Sequence, residues 1–513
     1  MSESPAASAI PRALLFPLAM AAALAAYLFF PPIRELPSLW YTFLGAAAVV
    51  VAWAAVLWFR YRRSGRRLGI EVMVRKPHFV QMCAQGAVLL YWGWYVRSVY
   101  AYAPLILAQI IFAYAVDSLL SFVRYGNYRL GVGPIPVVFS INLFLWFKLE
   151  WFYWQFAMVA LVFFGKEFIR WTRDGRRVHI FNPSLFALAV ASVALILTQS
   201  TGITYGVEIA ATQNNPPHIF LLIFLAALPG QLLFGVGSMT MAAAVTVVAF
   251  GLLHLQITGT YFFYDAFIPI AVFLGMNLLF TDPSTSPRSE LGRVIYGILY
   301  GVGIILSVYV LEAIDAPTFY DKLLPVPFLN LMVRAIDRFV ANRARGLTLP
   351  GWKKLSPLRR NAVVVATWVG VFSAFSATQI VGDEHPGKYL PYWRDKCEEG
   401  NDRACDYLGV VLDNFCLRGS GWACNELGLL VANRSSNPAD AEQEFQRACR
   451  MGFEPGCRNA QDMARGVRPS ARDRPPVEEL HIVLRGTKGP VTLTDPDALF
   501  DLGCQRGWTE LCR

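Results

Sequence analysis

Charge is scarce in this sequence: only 16% of its 513 residues are Asp, Glu, Lys or Arg, while 55% are hydrophobic. Soluble globular chains carry about 25% charged residues, so a free water-soluble protein is excluded. Histidine is scarcer, with 6 in the chain, and no His, Cys, Asp and Glu set has the spacing of a metal site. No phosphate-binding Gly loop, nucleophile elbow or nicotinamide-binding domain is present. That argues against nucleotide hydrolysis, hydrolase chemistry of the elbow type and a self-contained dehydrogenase. Long runs of one charge are also missing. The net charge of +10 is spread between apolar stretches, as the positive-inside rule requires, and nucleic acid is not an expected partner.

What is there is apolar and aromatic. The 14 Trp, 21 Tyr and 36 Phe suit aromatic belts at two water–lipid interfaces. Apolar runs able to cross ~30 Å of hydrocarbon fall near 13–30, 39–59, 79–97, 103–123, 133–149, 151–168, 181–198, 218–235, 239–255, 263–280, 293–311, 323–341 and 361–381, about thirteen spans. The stretches 133–149 and 323–341 are interrupted by Gly, Pro and charges. If the N-terminus is cytoplasmic, alternate loops should collect Lys and Arg, and they do. The inner loops hold Arg60, Arg62, Arg63, Arg66, Arg67, Arg75 and Lys76, then Arg124 and Arg129, then Lys166, Arg170, Arg173, Arg176 and Arg177. Arg288 and Arg293 follow, and the last inner loop has Arg338, Arg343, Arg345, Lys353, Lys354, Arg359 and Arg360. The outer loops show only Arg34, Arg97, Lys148 and Lys322. An odd number of crossings then places Gly382 onward outside the cytoplasm. The Ala-rich run after Arg12 also fits a cleaved signal peptide, and cleavage would leave every later orientation unchanged.

Cysteine is nearly absent before residue 397 and abundant after it. Cys83 stands alone and reads as a small core residue. The other eight form four pairs of one spacing: Cys397 and Cys405, Cys416 and Cys424, Cys449 and Cys457, Cys504 and Cys512. Gly stands three positions after the first Cys, as in Cys449-Arg-Met-Gly452. Two helix ends joined by a Gly turn would bring such cysteines within bridging distance. Metal sites favour shorter spacings and recruit His, and the tail's only histidines are His385 and His481. The expectation is four local disulfides and an oxidising compartment, in agreement with the charge pattern. The tail resembles cysteine-rich Sel1-like repeats of disulfide-linked αα-hairpins. The matching residues are Cys397-Glu-Glu-Gly-Asn-Asp-Arg-Ala-Cys405-Asp-Tyr-Leu-Gly409, Gly421-Trp-Ala-Cys424-Asn-Glu-Leu-Gly428 and the helix Pro438–Cys449. The array is irregular, with a polar, Pro-rich insertion around Val467–Pro476. Such repeats imply protein binding.

Two interrupted stretches mark the apolar part. One is His179-Ile-Phe-Asn-Pro-Ser184, the other Phe280-Thr-Asp-Pro-Ser-Thr-Ser-Pro287 followed by Arg288-Ser-Glu-Leu-Gly-Arg293. Pro removes a backbone donor and fixes the entry into a helix. Asn182, Ser184, Thr281, Asp282, Ser284 and Thr285 could therefore cap free amides or contact a polar ligand. Among ionisable residues within or near spans, Asp117 is the deepest and the candidate for an ion or proton route.

Both stretches resemble segments of the RnfD/NqrB family, whose members are membrane components of the Rnf electron-transport complex and of the sodium-pumping NADH:quinone oxidoreductase. Phe181-Asn-Pro-Ser184 and Thr281-Asp-Pro-Ser-Thr-Ser-Pro-Arg-Ser-Glu-Leu-Gly-Arg293 match its motifs in order. The resemblance runs from about Pro77-His78 to Arg345, ten of the thirteen spans. Ten spans divide as five and five, and an odd repeat unit inserts its copies in opposite orientations. Pro77-His78 and Pro217-His218 are traces of such a duplication. The family implies flavin held in the membrane, FMN or riboflavin. Covalent attachment would fall on Thr204, where Thr201-Gly-Ile-Thr204 has Ile in place of the family's Ala. The outward loop is also short, so a non-covalent site near Asn182 and Asp282 is the preferred expectation.

The sequence thus predicts an all-α chain: a polytopic membrane bundle plus a soluble αα-repeat domain. Residues 1–76 carry two extra spans and a basic loop, 77–345 the ten-span core, 346–382 a basic loop and the last span, and 383–513 the periplasmic repeats. The expected function is a flavin-associated electron-transfer subunit of a bacterial inner membrane, not a complete enzyme, with protein partners held by the tail. The rivals are a non-redox membrane anchor or assembly scaffold of the same fold, and a transporter.

Overall fold

Every one of the thirteen apolar stretches contains a helix, but the helices are of very unequal length. The computed structural model describes residues 11–64, 67–173, 175–343, 354–434, 437–469, 475–484 and 496–512. The expected loop residues Arg66, Arg345 and Lys353 and the middle of the insertion after Val467 lie outside the described residues. In chain order the helices are α1 (Leu15–Ala26), α2 (Pro37–Ser64), α3 (Lys76–Tyr95), α4 (Ala103–Tyr125), α5 (Pro134–Asn142), α6 (Tyr153–Phe168) and α7 (Pro183–Leu197). Next come α8 (Ile219–Phe234), α9 (Gly237–Thr258), α10 (Ile270–Leu278), α11 (Glu290–Ala313), α12 (Pro325–Arg343) and α13 (Pro357–Ala377). Among the described residues, strands are limited to two four-residue pairs: β1 (Gly69–Val72) parallel to β2 (Asn127–Leu130), and β3 (Arg170–Arg173) antiparallel to β4 (Arg176–His179).

Among the described residues, six helical segments are long and apolar enough to cross a membrane: Arg12–Phe29, Pro37–Ser64, Ala103–Tyr125, Gly237–Thr258, Glu290–Ala313 and Pro357–Ala377. The chain is therefore membrane-associated. Thirteen spans are not reached by length and composition, and the shortfall has a physical pattern. Both α5 and α10 stop after 9 residues. Beyond α5 the chain runs on as Leu143–Phe147, buried but not helical. Backbone in an apolar setting must be satisfied internally, and beyond α5 amide side chains do it. Gln155 accepts from the Phe147 amide at 3.1 Å and donates to Leu145 O at 3.2 Å, and Gln213 donates to Leu143 O at 2.5 Å. Around α10, Gln231 donates to Asn277 Oδ1 at 3.0 Å and Thr240 to Met276 O at 3.0 Å. Residues 263–269, expected within a span, are not helical. Two glycines let α9 and α11 approach closely: a Cβ on Gly297 would lie 2.3 Å from Met239 O, and one on Gly301 2.9 Å from Thr246 Cβ.

The chain divides into two compact units, Met1–Val247 with Ile270–Ala374, and Val248–Pro269 with Phe375–Arg513. The second unit contains α14 (Leu390–Glu398), α15 (Asp402–Leu417), α16 (Gly421–Arg434), α17 (Pro438–Arg450), α18 (Glu454–Ala464), α19 (Val477–Val483) and α20 (Pro496–Gln505). All four expected disulfides are present, Cys397–Cys405, Cys416–Cys424, Cys449–Cys457 and Cys504–Cys512. Each follows one design. A helix ends just after its Cys, Gly400, Gly419, Gly452 or Gly507 takes a left-handed conformation, and the next turn brings the second Cys back. The buried core of the unit is built on Trp393, Leu408, Leu412, Trp422 and Trp508. It also recruits residues 259–264, where Tyr407 Oη and Arg403 Nη2 donate to Phe262 O at 2.6 and 3.0 Å.

Candidate functional site

The two sequence motifs come together. Asn182 caps α7, its Oδ1 accepting from the Leu185 amide at 3.2 Å. Its Nδ2 donates to Leu279 O at 2.8 Å, at the end of α10 and just before the Thr281-Asp282 segment. Asn330 of α12 completes the join. Its Oδ1 accepts from the Asn182 amide at 2.9 Å, and its Nδ2 donates to Tyr296 Oη at 2.8 Å and to Thr285 O at 3.3 Å. Asn330 is not among the residues singled out from the sequence, although a lone Asn inside an apolar stretch is a signal in itself, because an unsatisfied amide there is costly.

Asp282 occupies the loop between α10 and α11. Its carboxylate accepts from the Ser284 amide at 2.9 Å, the Ser284 hydroxyl at 2.7 Å and the Thr285 hydroxyl at 3.2 Å, and faces His179 Nε2 at 3.4 Å. Burial pushes this carboxyl up, but the hydrogen bonds from His179 and Ser284 outweigh it and bring it down to about 2. Ser284 Oγ also lies 2.8 Å from His179 Nε2. Serine and carboxylate thus meet the same imidazole nitrogen. In a hydrolase relay they sit on opposite nitrogens, so this trio is not a nucleophile-activating array.

The other nominated residues are placed as follows. Ser184 Oγ is 3.4 Å from Val137 O, and Thr281 Oγ1 donates to Asn277 O at 3.1 Å. Thr204 lies beyond the far end of the 15-residue α7, about 22 Å of helix from Asn182. Its hydroxyl is buried and donates to Thr201 O at 2.9 Å. Asp117 is buried on α4 and paired with Lys166 Nζ at 3.4 Å. Cys83, expected in the core, is exposed.

Two concave features adjoin these residues or lie in the second unit. A cavity of ≈ 50 Å³ is bounded by Gln81, Gln231, Asn277, Thr281 and Asp282. That volume suits a water or two, whereas cofactor and ligand sites run from about 300 Å³ upward. The polar atoms of Asn182 and Asp282 are engaged in hydrogen bonds within the chain. The second feature is a groove of ≈ 1000 Å³ in the repeat unit. Leu408, Leu412, Leu429, Leu430, Met463 and Val467 give it an apolar lining, and Arg394, Glu398, Asp402 and Arg434 add charge. No metal-holding group of three or more His, Cys, Asp or Glu occurs among the described residues.

No family model matches the sequence, and no curated protein or solved structure does either.

Proposed function

We propose that this chain is a membrane-anchored assembly subunit of a bacterial inner membrane, with a cytoplasmic N-terminus and a periplasmic repeat tail that holds a partner protein. The observation that carries it is the contrast between the two concave features. The nominated polar residues of the core are spent on caps and turns around ≈ 50 Å³, whereas the tail presents ≈ 1000 Å³ with an apolar lining. Interaction sites combine an apolar centre with a charged rim in this manner. Helix pairs joined by a left-handed Gly and a disulfide support a Sel1-like reading of the tail.

The core is proposed to be a ten-helix bundle of the RnfD/NqrB type, built as two inverted sets of five, α3–α7 and α8–α12. In support, the third helix of each set is a 9-residue half-helix, and the first helices α3 and α8 pack together. A redox subunit carrying flavin is the second reading, favoured by the meeting of the two motif segments through Asn182 and Asn330. Photo-crosslinkers placed at Leu430 in the groove and at exposed Gln446 outside it separate the two. Discrete protein adducts from 430 but not 446, on a colourless purified chain, are expected. Equal labelling at both sites removes the tail-docking proposal, and a flavin absorption band that survives purification moves the assignment to electron transfer.

A further inference from the structure

Helix α12 (Pro325–Arg343) carries four charged residues in its second half, Arg334, Asp337, Arg338 and Arg343, which make that half amphipathic. Its polar residues divide into two classes. Arg334 reaches Thr172 O and lies 4.2 Å over the Trp171 ring. Asp337 accepts from Arg173 at 2.7 Å and from the Arg288 amide at 3.1 Å. Arg338, one turn beyond Arg334, and Arg343 are exposed. Arg338 bonds only the Arg334 carbonyl, through Nε at 3.3 Å, and neither arginine has an acidic partner among the described residues.

Leading up to these two arginines is an apolar strip. Phe328, Met332, Ala335 and Phe339 recur at intervals of four and three, the spacing of one helix face. Phe328, Leu331, Met332 and Phe339 are 69%, 52%, 43% and 52% exposed. The strip ends in a surface depression of ≈ 410 Å³ lined by Ala335, Arg338, Phe339, Asn342 and Arg343. We infer that this end of α12 is a binding site for an anionic phospholipid, its acyl chain on the Phe328–Phe339 strip and its phosphate between Arg338 and Arg343.

Free phosphate would find the arginines but have no use for the strip. A zwitterionic lipid would use the strip but bring its own cation beside two uncompensated guanidinium groups. Anionic headgroups gain roughly five-fold in affinity per nearby basic residue, hence about 25-fold for the pair. The full-length protein in mild detergent, titrated with phosphatidylglycerol, phosphatidylcholine or inorganic phosphate and read by native mass spectrometry and thermal unfolding, provides the test. Wild type should retain phosphatidylglycerol in preference to phosphatidylcholine, with phosphate unable to compete. The double variant Arg338→Gln/Arg343→Gln should lose about 25-fold of that preference, and Arg338→Lys/Arg343→Lys should keep most of it. The site is refuted if wild type shows no preference, if phosphate competes at matched concentration, or if the Gln variant binds phosphatidylglycerol as wild type does.

Discussion

Asn330 joins three segments through three hydrogen bonds while only 1% exposed. Replacing it with Leu strands the Asn182 amide and the Thr285 carbonyl, both on buried residues. The expected cost is about 1–3 kcal/mol, seen as a lower midpoint in thermal unfolding of the detergent-solubilised protein. An unchanged midpoint would show that Asn182 is held some other way. His385 makes a different kind of prediction. Its Nδ1 accepts from the Gly387 amide at 3.1 Å, and its ring is packed against Tyr261 and Phe267. Burial, aided by the Lys388 ammonium, brings it down to about 3. In the unfolded chain the group titrates near 6.5. The folded tail thus keeps the ring neutral, so its contribution is complete above pH 6.5 and drains away as the pH falls from there toward 3. The slope is at most about 1.4 kcal/mol per pH unit. His385→Asn, which keeps an acceptor for Gly387, should flatten that dependence, and identical slopes in the two proteins would contradict the assignment.

At the scale of elements, the helix–glycine–helix hairpin is the repeating device of the tail. Opening Cys449–Cys457 with two serines releases a closed loop of eight-residue separation, and the chain-entropy cost is roughly 2.5 kcal/mol. Urea unfolding of the tail should show it as an earlier transition, and no shift would mean the hairpin is held by packing alone. Gly452 has φ +85° and open space around its Cα, so Gly452→Ala should cost about 1 kcal/mol through backbone strain only. These hairpins were legible in the sequence because a fixed Cys–Gly–Cys spacing is a local signal. The half-helices α5 and α10 were not. Composition alone cannot distinguish a continuous span from a short helix flanked by Gln155, Gln213 and Thr240, whose side chains bond the backbone there. Thr204 was nominated from four residues of resemblance, but its burial depends on how the chain turns after α7. The motifs around Asn182 and Asp282 meet in the fold, with His179 of the first motif facing Asp282 of the second, while Asn330 comes from a separate helix that only the fold brings in.

For the molecule as a whole, charge and cysteine point to the same plan. Basic loops alternate along the apolar part, eight paired cysteines follow it, and six helical segments among the described residues are long and apolar enough to cross a membrane. A membrane core that carries an oxidised, partner-holding tail on its far side is the central claim. Counting thiols in protein denatured straight from cells tests it most directly, using a maleimide polymer before and after reduction. The account predicts one modified cysteine before reduction, Cys83, and all 9 afterwards. Nine modified cysteines without reduction would place the tail in a reducing compartment and contradict both the orientation and the function drawn from it.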